Sequence, residues 1–231
     1  MPHSAWKLFK GYFNQSLIVF QKDLQLEFRT RYALNAIALF AITALSVISF
    51  SIGPTKLSTV VLAPLLWIIL FFSAMSGLAH VFVREEEQQT ADTLRLILPP
   101  NAIWLGKWLF NVVLLFGLEV IIIPLYFVMM SAPFGNAGIF FTILAVGSLG
   151  LASVATIIAA IISLASSRGA LFAVLAFPIA LPILIPAINS TKIALENGIF
   201  SDCLSDLQVL FSFTIVIVTT SLLVFEFVWR K

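Results

Sequence analysis

Charge is what this sequence has least of. Only 10% of its 231 residues are Asp, Glu, Lys or Arg, against 61% hydrophobic, where a soluble domain carries roughly a quarter charged. That excludes an ordinary soluble domain and points to an integral membrane protein with one membrane domain over 1–231. Cys203 is the single cysteine, so no intrachain disulfide exists, and His3 and His80 are the only histidines, too few for a Cys/His metal cluster. No G-x-x-x-x-G-K-[ST] occurs, so the chain has no nucleotide-binding loop of its own. Intramembrane proteolysis is excluded as well. GSLG at 147–150 is not the G-x-S-G of a membrane serine protease, no later span holds a deep histidine base, and the pair of intramembrane aspartates that aspartyl chemistry needs is absent. An enzyme is not expected. The net charge of +2 is uninformative about nucleic acid, and no nucleic acid partner is expected. The start MPHSAWKLFKGYFNQ lacks an apolar core followed by small residues, so no cleaved signal peptide is expected. No internal repeat or low-complexity linker is visible.

What is present is one long apolar run after another. A membrane-crossing helix needs about 20 such residues. The runs predict six, at about 33–53, 58–83, 102–130, 137–164, 168–188 and 206–229. Their Leu, Ala and Phe content and their length favour helices over the short alternating strands of a membrane barrel. The fold class is therefore all-α, with six transmembrane helices. Of the 13 basic residues, Lys56 and Lys192 fall on one side and the other eleven on the opposite side. The basic side holds Lys7, Lys10, Lys22, Arg29, Arg31, Arg84, Arg95, Lys107, Arg168, Arg230 and Lys231. Positive charge stays inside, which places both termini and the 84–101 loop in the cytoplasm.

Ahead of the first span, Trp6, Phe9, Phe13, Leu17, Phe20, Leu24 and Phe28 recur at helical steps. They predict an amphipathic helix over 4–30 lying in the headgroup region. It is either a plain surface anchor or an elbow helix that moves with the bundle.

Between spans two and three runs VREEEQQTADTLRLILPP, 83–100. Glu85, Glu86 and Glu87 are expected near the positive end of a new short helix. Leu94, Ile97 and Leu98 are expected to form its apolar edge, with Thr93 and Arg95 beside it. Pro99 and Pro100 stop the run, since neither donates a backbone hydrogen bond. Such a rigid element over 84–100 suits a groove on a soluble partner; the alternative is a solvated loop whose glutamates balance nearby basic residues.

Inside the membrane, Glu119 stands near the middle of span three, where a carboxylate is costly unless paired, protonated or hydrated. It reads as a polar hinge or part of a hydrophilic path, or as a protonated acid bonded to a neighbouring helix. Pro178, Pro182 and Pro186, at i, i+4 and i+8, free the carbonyls of Val174, Pro178 and Pro182. A bent or broken fifth span is expected. Ala145, Ser148, Ala152, Ala155, Ala159 and Ser163 form a small-residue stripe suited to close helix packing. Glu226 and Arg230 are spaced as a local helical pair, and His80 reads as a polar interface residue near the end of span two.

The segments SFSIGP (49–54), DTLRLILPP with LGK (92–100, 105–107), SLGLAS (148–153) and above all SRGALFAVLAFPIALPILIPA (167–187) resemble a known family. The six spans with elbow and coupling element look like an ABC-2 type permease, and within that class the chain is similar to CcmB, the heme exporter protein B family. The resemblance implies a membrane permease subunit of an ATP-driven complex that handles heme in c-type cytochrome maturation, releasing a heme-loaded chaperone. It implies the ATPase CcmA seated on the coupling element, CcmC, the small subunit CcmD, the chaperone CcmE and a second six-span unit, either a copy of this chain or CcmC. ATP with Mg would be held by the ATPase and heme by partner subunits, with no cofactor on this chain beyond contact with membrane lipid. The implied location is the bacterial inner membrane. The family's coupling element reads like DGTLEQ where this chain has ADTLRL, with Asp92 for glycine and Arg95 for an acid. An ABC-2 exporter of another cargo (drug, lipid or polysaccharide) and a passive scaffold for partner subunits are the alternative readings.

Overall fold

A computed structural model describes residues 2–53, 55–78, 80–163 and 168–229, with side chains from Gly11 onward except at 168–171 and 173. The side chains of His3, Trp6, Lys7, Phe9, Lys10 and Arg168, and Arg230 and Lys231 entirely, lie outside the described part, and so does the expected Glu226–Arg230 pair. Among the described residues the fold is all-helical. Helix α1 covers Pro2–Thr30, α2 Tyr32–Ile52, α3 Thr59–Gly77, α4 His80–Glu87 and α5 Ala91–Ile97. Then follow α6 (Pro100–Met129), α7 (Ala137–Ser163), α8 (Arg168–Leu195), a 3-10 turn over Phe200–Cys203 and α9 (Leu204–Trp229). Among the described residues, six helices are long and apolar enough to cross a membrane, α3 and α4 together forming the second.

Helix α7 is the centre. Its small residues Ser148, Ala152, Ala155, Ala159 and Ser163 are all buried, so α8 and α9 pack directly against it. A β-carbon on Gly147 would lie 2.2 Å from the Trp67 ring, so the missing side chain is what admits that indole from α3. Buried polar side chains tie the helices pairwise, as apolar surroundings demand. The Trp67 indole N–H donates to Thr191 Oγ1 (2.9 Å), joining α3 to α8. Trp108 donates to Ser153 (2.8 Å) and Asn111 to Thr156 (2.9 Å), joining α6 to α7. The Tyr126 hydroxyl donates to the Leu62 carbonyl at 2.6 Å, joining α6 to α3.

Two expectations change. Of the bent or broken fifth span expected, the broken form is the one that changes: helix α8 runs continuously from Arg168 to Leu195 through Pro178, Pro182 and Pro186. The flanking turns hold it helical although each proline removes a donor. The span also continues past its expected end at 188, because INSTKIAL keeps a helical register up to Lys192 in its last turn. The glutamates, in turn, do not open a new helix. Glu85, Glu86 and Glu87 close α4, which prolongs the second span, and the short helix starts only at Ala91 with Asp92 in its first turn. Pro99 and Pro100 divide two tasks: α5 ends before them, and Pro100 takes the first position of α6, where its missing N–H costs nothing.

Helix α1 also packs differently from its aromatic pattern. Its buried face is Ser16, Val19, Asp23 and Glu27, at steps of three and four, laid against α6. Phe13 and Phe28 of the aromatic stripe are exposed, with Ile18 beside them, while Leu17, Phe20 and Leu24 are half-buried. The aromatic face is thus left for lipid and the narrower mixed face for protein. Gly106 permits the approach, since a β-carbon there would stand 2.6 Å from the Ser16 carbonyl and the Val19 β-carbon. The turn into α2 is made at Arg31, in the left-handed region at φ 53°. The Glu27 carboxylate reaches across this turn to accept the Leu34 amide at 2.8 Å, capping the start of α2.

Candidate functional site

The charged passage after the second span builds a linked face at one end of the bundle. Gln89, at φ 55°, makes the turn between α4 and α5. The Thr90 amide donates to the Glu85 carbonyl at 3.0 Å, and the Thr90 hydroxyl to Glu85 Oε2 at 2.5 Å. Arg95 holds the short helix in place. Its guanidinium donates to Glu86 Oε1 at 2.7 Å and to Asp92 Oδ1 at 2.6 Å. It also lies over the Trp229 ring, 4.7 Å from the centroid, a cation–π contact that joins α5 to the end of α9. Trp229 in turn stacks on Phe225 and meets Phe82 of α4.

Deeper in, the face becomes an ion cluster. The Lys107 ammonium of α6, fully buried, donates to Val81 O at 2.8 Å, Glu85 Oε1 at 3.0 Å and Asp23 Oδ2 at 3.1 Å. All three of its protons are used. Lys22 completes the set by pairing with Glu85 and, at 3.3 Å, with Asp23. Partial burial works against the charged form of Lys22, but Asp23 and Glu85 outweigh it and hold its pKa above the ordinary lysine value. Two cations and two carboxylates thus cancel across α1, α4 and α6. A buried charge costs several kcal/mol unless paired and hydrogen-bonded; the buried Lys107, Asp23 and Glu85 are each paired, while Lys22 stays partly exposed.

The expected docking residues separate accordingly. Glu85 is buried and committed to Lys107 and Lys22, so it is not presented to a partner. Glu86 is half-buried against Arg95, and Glu87 is exposed. Leu94 and Leu98 pack inward against the core, so the apolar edge expected from Leu94, Ile97 and Leu98 keeps only Ile97. The exposed edge is Leu96 and Ile97, 88% and 68% accessible, with Thr93 exposed nearby. Beside it opens a groove of about 500 Å³ bounded by Arg95, Leu98, Pro99, Pro100 and Trp229. Leu96 escaped notice because a helix of two turns has no periodicity to favour one edge. Asp23 and Lys107 escaped because burial of a charge leaves no compositional trace; only the step of four from Asp23 to Glu27 hinted at a second face.

The other candidates lie apart from this face. Glu119, on α6, is buried and accepts a hydrogen bond from Ser148 of α7. It borders an open, mainly apolar groove of about 340 Å³ with Phe116, Val120, Phe141 and Leu144. Pro178 is exposed, Pro182 half-buried and Pro186 buried, so the proline series crosses from the outside of the bundle to its inside. His80 meets Tyr32 edge-on at 5.4 Å.

A family model described as CcmB protein matches residues 14–228. The chain belongs to the CcmB family. No curated protein matches it. Membership in the CcmB family makes the chain a heme exporter permease of cytochrome c maturation, a transporter subunit of the Ccm complex and a multi-pass membrane protein. The CcmB match takes in α1 from Asn14 and runs to Val228, so it includes the ion cluster and the Arg95 face as far as Trp229, which lies one residue past it.

Proposed function

We propose that this CcmB-family chain is the energised membrane half of an ATP-driven complex, with the partner ATPase CcmA seated on the α5 edge. The observation that carries this reading is a continuous chain of contacts inward from that edge. Leu96 and Ile97 stand exposed; Arg95 behind them grips Glu86 of α4 and Trp229 of α9. Next to Glu86, Glu85 joins Lys107 of α6 and, through it, Asp23 of α1. A push on α5 is therefore passed to the second, third and sixth spans and to the elbow helix together. Short, charge-assisted contacts transmit displacement with little slack.

The chain itself supplies no nucleotide loop, so ATP and Mg are held by the ATPase and the work is mechanical. Heme is held by partner subunits such as CcmC, and the work releases the heme-loaded chaperone CcmE, with CcmD and a second six-span unit completing the assembly. The complex sits in the bacterial inner membrane with both termini and α5 on the cytoplasmic side, as the eleven basic residues on that side support. Because Leu94 packs inward, the informative substitutions are Leu96→Asp and Ile97→Asp. The double variant is expected to keep its detergent-solubilised fold and lose co-purifying ATPase. Undiminished ATPase recovery would overturn the docking assignment.

A further inference from the structure

A feature not used by this mechanism lies on the other side of the ion cluster, where α1 turns into α2. A cavity of about 420 Å³ opens there between the elbow, the start of α2 and α4. That volume falls within the roughly 300–1,000 Å³ typical of small-molecule sites. Its walls include Ala33, Val81 and Phe110, and its polar groups include Glu27, His80 and Arg84.

The charges facing this space sort themselves. Asp23 and Glu85 also line it but are neutralised by Lys107 and Lys22. Glu87 at the rim is engaged in a contact of its own. Glu27 is different. It is 5% exposed, its Oε1 accepts only the Leu34 amide, and among the described residues no cation pairs with it. A carboxylate bordering the cavity in that way is free to receive a cation from outside the chain. Arg84 lines the same cavity and makes no ion pair among the described residues, leaving a planar guanidinium suited to a phosphate. One anion and one cation share a cavity with an apolar wall, at the level where an amphipathic helix meets the first span. This is the chemistry of a zwitterionic phospholipid.

We propose that the cavity binds the headgroup of an aminophospholipid, with Glu27 receiving the ammonium and Arg84 the phosphate. The acyl chains then run along the apolar wall toward the bilayer. An anionic headgroup lacking an amine would leave Glu27 buried and unpaired, so the site selects against it. The lipid would fill the wedge beneath the elbow turn and fix α1 relative to the first span. This inference rests on the six-span fold alone and stands whether or not an ATPase docks on α5.

The test uses the full chain in nanodiscs of equal phosphatidylethanolamine and phosphatidylglycerol, with retained lipid read by native mass spectrometry. Wild type is expected to retain phosphatidylethanolamine in preference to phosphatidylglycerol. Glu27→Gln keeps an oxygen for the Leu34 amide and removes the charge, so the fold is preserved while the preference falls roughly tenfold, the scale of one charge-assisted contact. Arg84→Gln is expected to lower retention of both lipids. Equal retention of the two lipids by wild type, or a preference unchanged in Glu27→Gln, would overturn the assignment. Binding of soluble phosphoethanolamine with no lipid retained would overturn the lipid source. Size-exclusion profiles of both variants separate loss of binding from loss of fold, and Arg84→Gln alone decides if Glu27→Gln fails to fold.

Discussion

Lys107 carries more of the architecture than any other single charge in this chain. Its ammonium has no exposure to solvent and joins two carboxylates and a backbone carbonyl from two other helices. Removing one partner of a buried pair leaves the others uncompensated, at a cost of about 3–5 kcal/mol. Lys107→Met is therefore expected to lower the unfolding free energy in detergent by that amount. Adding Glu85→Gln should return part of the loss, because it removes one of the stranded carboxylates. Thermal unfolding of the single and double variants measures both, and additive losses would contradict the cluster. Glu119 is handled differently, by one hydroxyl donor instead of a cation, which suits a group lying deeper among apolar helices.

At the scale of the element, the elbow is the informative case. Arg31 adopts a left-handed conformation that costs an L-residue roughly 1–2 kcal/mol. Arg31→Gly is expected to stabilise the α1–α2 turn by about 1 kcal/mol or less, whereas Arg31→Val should destabilise it; urea unfolding midpoints give the sign. The six spans were legible because a run of about 20 apolar residues has few other fates. The small-residue stripe on α7 was legible for a similar reason, as steps of three and four put it on one face. What could not be read was the partner of each face. The aromatic stripe of α1 looked like the face that matters, yet Ser16, Val19, Asp23 and Glu27 are what pack on α6. Leu94 and Leu96 differ by two residues in a seven-residue helix, and only tertiary packing decides which one is covered. Likewise, nothing local distinguishes a lysine that marks the cytoplasmic side from one that is buried in an ion cluster.

For the whole molecule, the distribution of basic residues and the position of α5 make a single joint statement about sidedness. With Gln88 exposed between α4 and α5, a cysteine introduced there as Gln88→Cys is expected to resist an impermeant maleimide in intact cells and to react once the membrane is opened. The native Cys203 is buried and serves as the internal background. Labelling from outside would reverse the map and detach the ion cluster from any cytoplasmic motor. The match to the CcmB family covers the ion cluster and all of α5, and stops one residue short of Trp229.

The placement of Trp229 has a practical consequence. Its ring forms the floor under Arg95 and borders the groove beside Leu96 and Ile97. A reporter protein or affinity handle fused immediately after that tryptophan would emerge beside the surface where the motor is proposed to land. Fusions at this end need a long, flexible spacer if they are to report on assembly without obstructing it.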